Sequence, residues 1–256
     1  MEGVLCKVFY RIWEVNRYWQ KKVIPKMPEH KCYGEVFAGA AWMLFKKEES
    51  GVEIINDINH DLVTLYRVVK HHIDEFTRYF RYILIARDEF ERFLAENSES
   101  LTDIQRAARF YYLLKTGYAS KVYQQNFSVS TVKKSRINLL RLEEELSEIH
   151  LRLSRVYIEN MPYQRCIEKY DRPHTFFYVD PPYYGCEDYY GKSIFCRDDF
   201  VKLRDLLSSI KGMFIMSIND VDEIRRLYRE FIIEEVETTY HVSNKKKVVE
   251  LLIRNY

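Results

Sequence analysis

The chain has 256 residues, is 47% hydrophobic and carries a formal net charge of +2. That apolar fraction supplies a sizeable core, for one large α/β domain or a domain with an insertion. No run of about eighteen apolar residues is present, which excludes a membrane-spanning helix, and so balanced a charge neither demands nor excludes nucleic acid.

Residues 1–20 carry charge at Glu2, Lys7, Arg11, Glu14 and Arg17 and lack an apolar core followed by small residues. They do not read as a signal peptide, and a cytoplasmic location is expected. Short apolar runs of β type follow at Tyr33–Phe37 and Val52–Ile55. From 61 to 155 the chain reads as nearly continuous helix. Leu62, Leu65, Val68 and Val69 mark one apolar stripe and Ile104, Ala107, Ala108 and Tyr111 another, amid the charges of Asp74-Glu75, Asp88-Glu89 and Glu143-Glu144-Glu145. Such a stretch is too long for one crossover between strands. It predicts a helical insertion over 61–155 in a body formed by 1–60 and 156–256. By itself the insertion suits a cap that only stabilises the fold as well as a recognition domain facing a substrate too large for a pocket. Strand patterns return at Val156–Ile158, Thr175–Val179, Met213–Ser217, Phe231–Val236 and Val248–Ile253, with helical spacing at Phe200, Leu203, Leu206 and Leu207. This alternation predicts an α/β fold with a mostly parallel sheet covered on both faces.

The five cysteines form no C-x-x-C pair and no metal-type spacing with histidine, so free thiols and no metal are expected. His71-His72 reads as helix surface rather than a ligand pair. The 21 tyrosines offer rings and hydroxyls suited to stacking a base, although most serve packing.

The strongest motif is Phe176-Phe177-Tyr178-Val179 running into Asp180-Pro181-Pro182-Tyr183, followed by Tyr184-Gly185. It places the tetrapeptide past the carboxyl end of a strand, where ligands of open α/β sheets bind. Two prolines fix φ and remove two donors, giving a stiff loop. An aromatic amine is a poor nucleophile because its lone pair is delocalised into the ring. The Asp180 carboxylate and the Pro181 carbonyl can accept both amino hydrogens and aim the lone pair at an electrophilic methyl, while Tyr183 stacks on the base. A target inside a duplex must first be flipped out. The bland alternative is a rigid turn with an incidental acid.

The second motif begins at Tyr33-Gly34-Glu35-Val36-Phe37-Ala38-Gly39-Ala40-Ala41 and continues through Val52-Glu53-Ile54-Ile55-Asn56-Asp57. It reads as strand, small-residue turn, helix, strand, then acid. Small residues at 38–41 let a ligand approach the backbone, and Asp57 is placed to accept from ribose hydroxyls. The G-x-G-x-x-G cradle of a dehydrogenase is absent.

Taken in this order, the residues resemble the DNA adenine-N6 methyltransferase (Dam-like) family from roughly Pro28 to Tyr256. The resemblance also covers Ala107-Ala108-Arg109-Phe110-Tyr111-Tyr112-Leu113, Ser217-Ile218-Asn219-Asp220 and the closing Glu250-Leu251-Leu252-Ile253-Arg254-Asn255-Tyr256. It implies a Rossmann-like methyltransferase fold with S-adenosylmethionine as donor. The implied substrate is a flipped adenine in double-stranded DNA, and the insertion serves as target-recognition domain. Carried onto this chain, the cofactor site is Glu35, Phe37, Ala38, Gly39, Ala40, Asp57 and Asp180, and the catalytic loop is Asp180, Pro181, Pro182 and Tyr183.

The chain departs from the family pattern in several places. The family's Pro-Gly-Gly-Lys-like opening is degenerate, reading Trp13-Glu14-Val15-Asn16; a turn glycine is alanine at Ala40 or Ala41; and Pro162-Tyr163 stands where an acid-aromatic pair is usual. Recognition of DNA is expected from Lys115, Tyr118, Lys121 and Gln124 as well as Tyr183, in a segment where Leu114 and Ala119 replace asparagines. Lys133-Lys134-Ser135-Arg136 suits phosphate contact or a solvated helix start equally, whereas Lys245-Lys246-Lys247 reads as loop surface more readily than as a contact to the DNA backbone. A monomer is expected, with a restriction endonuclease as a partner the resemblance allows. The alternatives are an RNA adenine methyltransferase and a catalytically impaired DNA-binding relic.

Overall fold

The computed structural model describes residues 21–117, 126–127, 139–185, 194–240 and 246–256. Trp13 to Asn16, Tyr118, Ala119, Lys121, Gln124, Lys133 to Arg136 and Lys245 therefore lie outside the described residues. The chain divides into two compact units: one spans Asn59–Asn160, and the other joins Glu14–Ile58 to Met161–Tyr256. No described helix is long and apolar enough to cross a membrane.

The first unit contains α1 (His60–His71), α2 (Ile73–Phe80), α3 (Arg87–Ala95), α4 (Asp103–Thr116) and α5 (Leu139–Leu153). The nearly continuous helix expected here is thus interrupted, and side-chain caps account for where two of the helices restart. The Asn59 side chain accepts from the Leu62 amide at 3.1 Å. Thr102 and Gln105 form a reciprocal capping box at the start of α4, an arrangement worth about 1 kcal/mol. Helix α4 ends at Gly117, where a Cβ would come within 2.6 Å of the Leu113 carbonyl oxygen. Aromatic side chains fill the interior: Phe76, Phe80 and Tyr111 meet at centroid separations of 5.1 to 5.7 Å, and Phe93 packs on Tyr112 at 4.9 Å. The Tyr112 hydroxyl donates to the Leu84 carbonyl at 2.9 Å and accepts from the Ala86 amide at 3.3 Å, fixing the turn between α2 and α3.

The strands are β1 (Cys32–Glu35), β2 (Val52–Asn56), β3 (Tyr157–Glu159), β4 (Thr175–Val179), β5 (Met213–Asn219), β6 (Ile232–Tyr240) and β7 (Lys246–Arg254). Strand β3 belongs to the helical unit. The six strands of the second unit run in the order β2-β1-β4-β5-β7-β6. The first four are parallel, and β7 lies antiparallel between β5 and β6. Every residue of β1 and β4 is buried, and β4 accordingly reads as an almost unbroken apolar run, whereas β1 ends on the buried carboxylate of Glu35. Gly34 makes room for a neighbour, since a Cβ there would stand 3.0 Å from the Phe177 ring. Helices α6 (Tyr163–Tyr170), α7 (Arg197–Ser209) and α8 (Asp222–Leu227) contribute Ile167, Phe200, Leu203 and Ile224 to a core with Phe177, Phe214 and Ile218. Burying each of these large side chains contributes roughly 2–3 kcal/mol.

The helix expected between the small-residue turn and β2 is absent; Trp42–Lys46 forms turns instead. Helical bonding does begin, with the Phe45 amide donating to Ala41 and the Lys47 amide to Met43. It is interrupted because the Leu44 amide donates to the Glu35 carboxylate at 2.5 Å, and because Ala41 takes a left-handed φ of 50°.

Candidate active site

Parallel pairing brings the carboxyl ends of β1, β2, β4 and β5 to one edge of the sheet. Glu35 sits opposite Ile55 on one side and Tyr178 on the other, and Tyr178 opposite Ile215. The β4–β5 offset carried one row further sets Asp180 beside Ser217. The Ser217 hydroxyl donates to Asp180 Oδ1 at 2.9 Å and shares a 2.8 Å hydrogen bond with the Tyr178 hydroxyl. Two residues along β5, Asn219 grips the far side of the loop: its Oδ1 accepts from the Tyr184 amide at 2.9 Å and its Nδ2 donates to the Tyr184 carbonyl at 3.0 Å. Pro181 and Pro182 are buried between these anchors, and Tyr183 is half-buried with its hydroxyl hydrogen-bonded to Glu250 of β7.

The small-residue turn is fastened to the end of β2. The Ala38 amide donates to the Asn56 carbonyl at 2.9 Å, and the Gly39 amide to Asp57 Oδ2 at 2.9 Å. Asn56, buried at 2% exposure, ties three segments: its Nδ2 donates to the Val36 and Met161 carbonyls, each at 3.0 Å, while its Oδ1 accepts from the Met161 amide at 3.1 Å. Glu35 Oε1 accepts from the Tyr33 hydroxyl at 2.7 Å as well as from Leu44, so this carboxylate organises the turn from beneath. Phe37 lies half-buried against Tyr163 and Phe195, with centroids 5.3 and 5.9 Å away.

The structure therefore gathers Glu35, Phe37, Ala38, Gly39, Ala40, Asp57 and the Asp180–Tyr183 loop in one unit, along with Ser217, Asn219 and Glu250, which sequence reasoning had not singled out as site residues. Ser217, Asn219 and Glu250 were visible only as parts of the resemblance, and no local spacing marks them. Lys115 lies in the helical unit, buried in α4 with its ammonium 5.3 Å from the Tyr111 ring centroid.

A family model for D12 class N6 adenine-specific DNA methyltransferases matches residues 18–242. The chain belongs to that family. It is 29% identical over 262 residues to the type II methyltransferase M.MjaIII of Methanocaldococcus jannaschii, with 88% of this chain and 89% of the relative covered. To the type II methyltransferase M.CviBI of Paramecium bursaria Chlorella virus NC1A it is 25% identical, over 87% and 88% of the two chains. The DNA adenine methylase of Escherichia coli K12 is 31% identical over 96 residues, covering 36% of this chain and 34% of that enzyme. The expected Rossmann-like methyltransferase fold, the S-adenosylmethionine donor and the adenine-N6 DNA methyltransferase activity follow from this membership.

The turn of this D12 methyltransferase fits the donor. Gly39 has a φ of 48° and, among the described residues beyond its chain neighbours, no atom within 4 Å of where its Cβ would stand, so these residues leave open space over the backbone beside Asp57. Around the catalytic loop, three acids are shifted upward. Asp180 is open to solvent on one side, yet protein surrounds its carboxyl closely enough that burial pushes it up to about 6, against the opposing hydrogen bond from Ser217. Burial pushes Glu35 up to about 7, with the charge of Asp180 adding to it and the bonds from Tyr33 and Leu44 opposing. Glu250, 4% exposed, is pushed up to about 8 by burial and then by Asp180, against the Tyr183 hydrogen bond. Of the three, Asp180 ionises most readily, and Glu35 and Glu250 are held further toward their neutral forms.

Proposed function

We propose that this D12 enzyme methylates a flipped adenine in double-stranded DNA, with Asp180, Pro181, Pro182 and Tyr183 as the loop that receives the base. The observation that carries this reading is the Asp180 carboxyl, fixed past the end of β4 by Ser217 and close enough to Glu35 for their charges to interact. Asp180 and the Pro181 carbonyl accept the two amino hydrogens, which frees the nitrogen lone pair to point away from the ring plane. Tyr183, its hydroxyl held by Glu250, offers its ring face for stacking. Phe37, Ala38, Gly39 and Ala40 form the wall against which the donor lies; Asp57, whose Oδ2 holds the Gly39 amide, is assigned to its ribose hydroxyls, and Glu35 holds the wall from below. When bound, S-adenosylmethionine supplies an electrophilic methyl carbon on a sulfonium. Most of the acceleration from this chain's own groups comes from orientation and preorganised acceptors.

The insertion at 61–155 is assigned to target recognition, together with Tyr118, Lys121 and Gln124; Lys115, buried in α4 against Tyr111, packs the helical unit instead of reaching DNA as expected. The close coverage of relatives named type II methyltransferases supports a role paired with a restriction endonuclease.

Tritium transfer from labelled S-adenosylmethionine to duplex DNA tests the reading, with ribosomal RNA as the competing acceptor. Label should enter adenine of the duplex. Asp180→Ala should lower transfer by at least about 10²–10³-fold while DNA affinity stays within twofold of the parent (about 0.4 kcal/mol). Retained turnover in that variant, or label in RNA alone, would refute it.

A further inference from the structure

Ser217 carries one hydroxyl proton, and that proton is committed to Asp180 Oδ1 at 2.9 Å. The 2.8 Å contact between Ser217 and Tyr178 then has a defined direction: the phenol donates and the serine oxygen accepts. Tyr178 precedes Asp180 by two residues on β4 and so shares its side of the strand, while Ser217 reaches them from the neighbouring strand. The three side chains form a directed chain, phenol to serine to carboxylate, with the phenol and the serine buried at 6% and 1% exposure. One carboxylate oxygen is thereby occupied and the carboxyl plane is fixed, at a place where the surface opens toward solvent.

We propose that Ser217 is a positioning residue of the methyl-transfer reaction, pinning Asp180 Oδ1 so that Oδ2 is the oxygen left to accept the adenine amino hydrogen. This rests on the role given to Asp180 above, and it assigns Tyr178 the task of holding the serine hydroxyl in the rotamer that points at the carboxylate. Without the serine proton, the carboxyl can rotate about its Cβ–Cγ bond and present either oxygen at the wrong angle. It also loses a donor that favours its ionised form. Glu35 from β1, Glu250 from β7 and the Tyr183 phenol also interact with Asp180 through charge. These are unaltered by a change at Ser217, whereas the Tyr178 phenol loses its acceptor in Ser217→Ala, and Tyr178→Phe separates that loss from the loss of the serine hydroxyl.

The test combines kinetics with a direct titration of Asp180 by carbon-13 NMR on protein labelled at aspartate carboxyls, the Asp180→Asn variant assigning the signal. In Ser217→Ala the Asp180 midpoint should rise from near 6 by about one pH unit. The acid limb of kcat should move with it, and kcat at neutral pH should fall roughly tenfold, the scale of one lost hydrogen bond to a charged group. Affinities for S-adenosylmethionine and for duplex DNA should stay within about twofold. Tyr178→Phe, which leaves the serine hydroxyl in place but unguided, should move the midpoint in the same direction by a smaller amount, and Ser217→Thr should recover most of kcat. An Asp180 midpoint that stays put in Ser217→Ala, or one that moves while kcat and its acid limb do not, overturns the proposal. Should Ser217→Ala fail to fold, the Tyr178→Phe titration decides alone by the same criterion. The titration needs no turnover, so an Asp180→Ala enzyme that still methylates would sink the earlier reading without deciding this one.

Discussion

Burial raises all three carboxyls at the Asp180–Tyr183 loop and leaves Asp180, at about 6, more acidic than Glu35 at about 7 or Glu250 at about 8. The small-residue turn divides its labour in a comparable way. Gly39 and Ala41 both have left-handed φ angles, 48° and 50°, but only Gly39 is a glycine. Ala41 is thus accepted at a strained position, at a cost of roughly 1–2 kcal/mol, and its methyl is fully buried. Substituting Gly39 by alanine would be felt differently, because the new methyl would enter the open space assigned to the donor. Gly39→Ala should cost about 1 kcal/mol of stability and weaken S-adenosylmethionine binding by about tenfold. Thermal unfolding and calorimetric titration of the donor measure the two separately; unchanged donor affinity would show that the space is not used.

Strand β5 holds both ends of the Asp180–Tyr184 loop, one through Ser217 and the other through Asn219. Asn219→Ala should release Tyr184, lower stability by about 1–2 kcal/mol for the two lost bonds, and reduce kcat about tenfold as the loop loses its frame. A kcat equal to the parent's would show that the prolines suffice. The Asp-Pro-Pro-Tyr loop and the turn with Asp57 were legible in the sequence because each is a short run whose chemistry is local. Strand β4 was legible because burial on both faces leaves an apolar run. Ser217, Asn219 and Glu250 were not, since they meet the loop through register between strands far apart in the chain. The ends of β6 and β7 were read too short for a related reason: continuous antiparallel pairing from Ile232 with Arg254 to Tyr240 with Lys246 holds Glu237 and the lysines in strands that their propensities disfavour. The helix expected after Ala41 failed because a carboxylate two strands' length away captured one of its amides.

For the molecule as a whole, the raised carboxyl groups couple folding to pH. The Glu250 carboxyl loses its proton near the ordinary value of 4.5 when unfolded but keeps it up to about 8 when folded, so folding takes up a proton between those limits. Its contribution is complete below pH 4.5 and disappears as pH rises through 8, at up to about 1.4 kcal/mol per unit; Glu35 acts in the same sense up to about 7. Melting temperature should therefore fall between pH 6 and pH 8, and Glu250→Gln should flatten that slope; an unaltered slope would place the proton uptake elsewhere. The position of β7 between β5 and β6 has a further consequence. Tyr183 finds Glu250 only once this strand has been threaded beside β5. A chain cut before β7 would keep the Ser217 and Asn219 bonds to the loop and the fastening of Gly39 to Asp57, but would leave the Tyr183 hydroxyl without its acid.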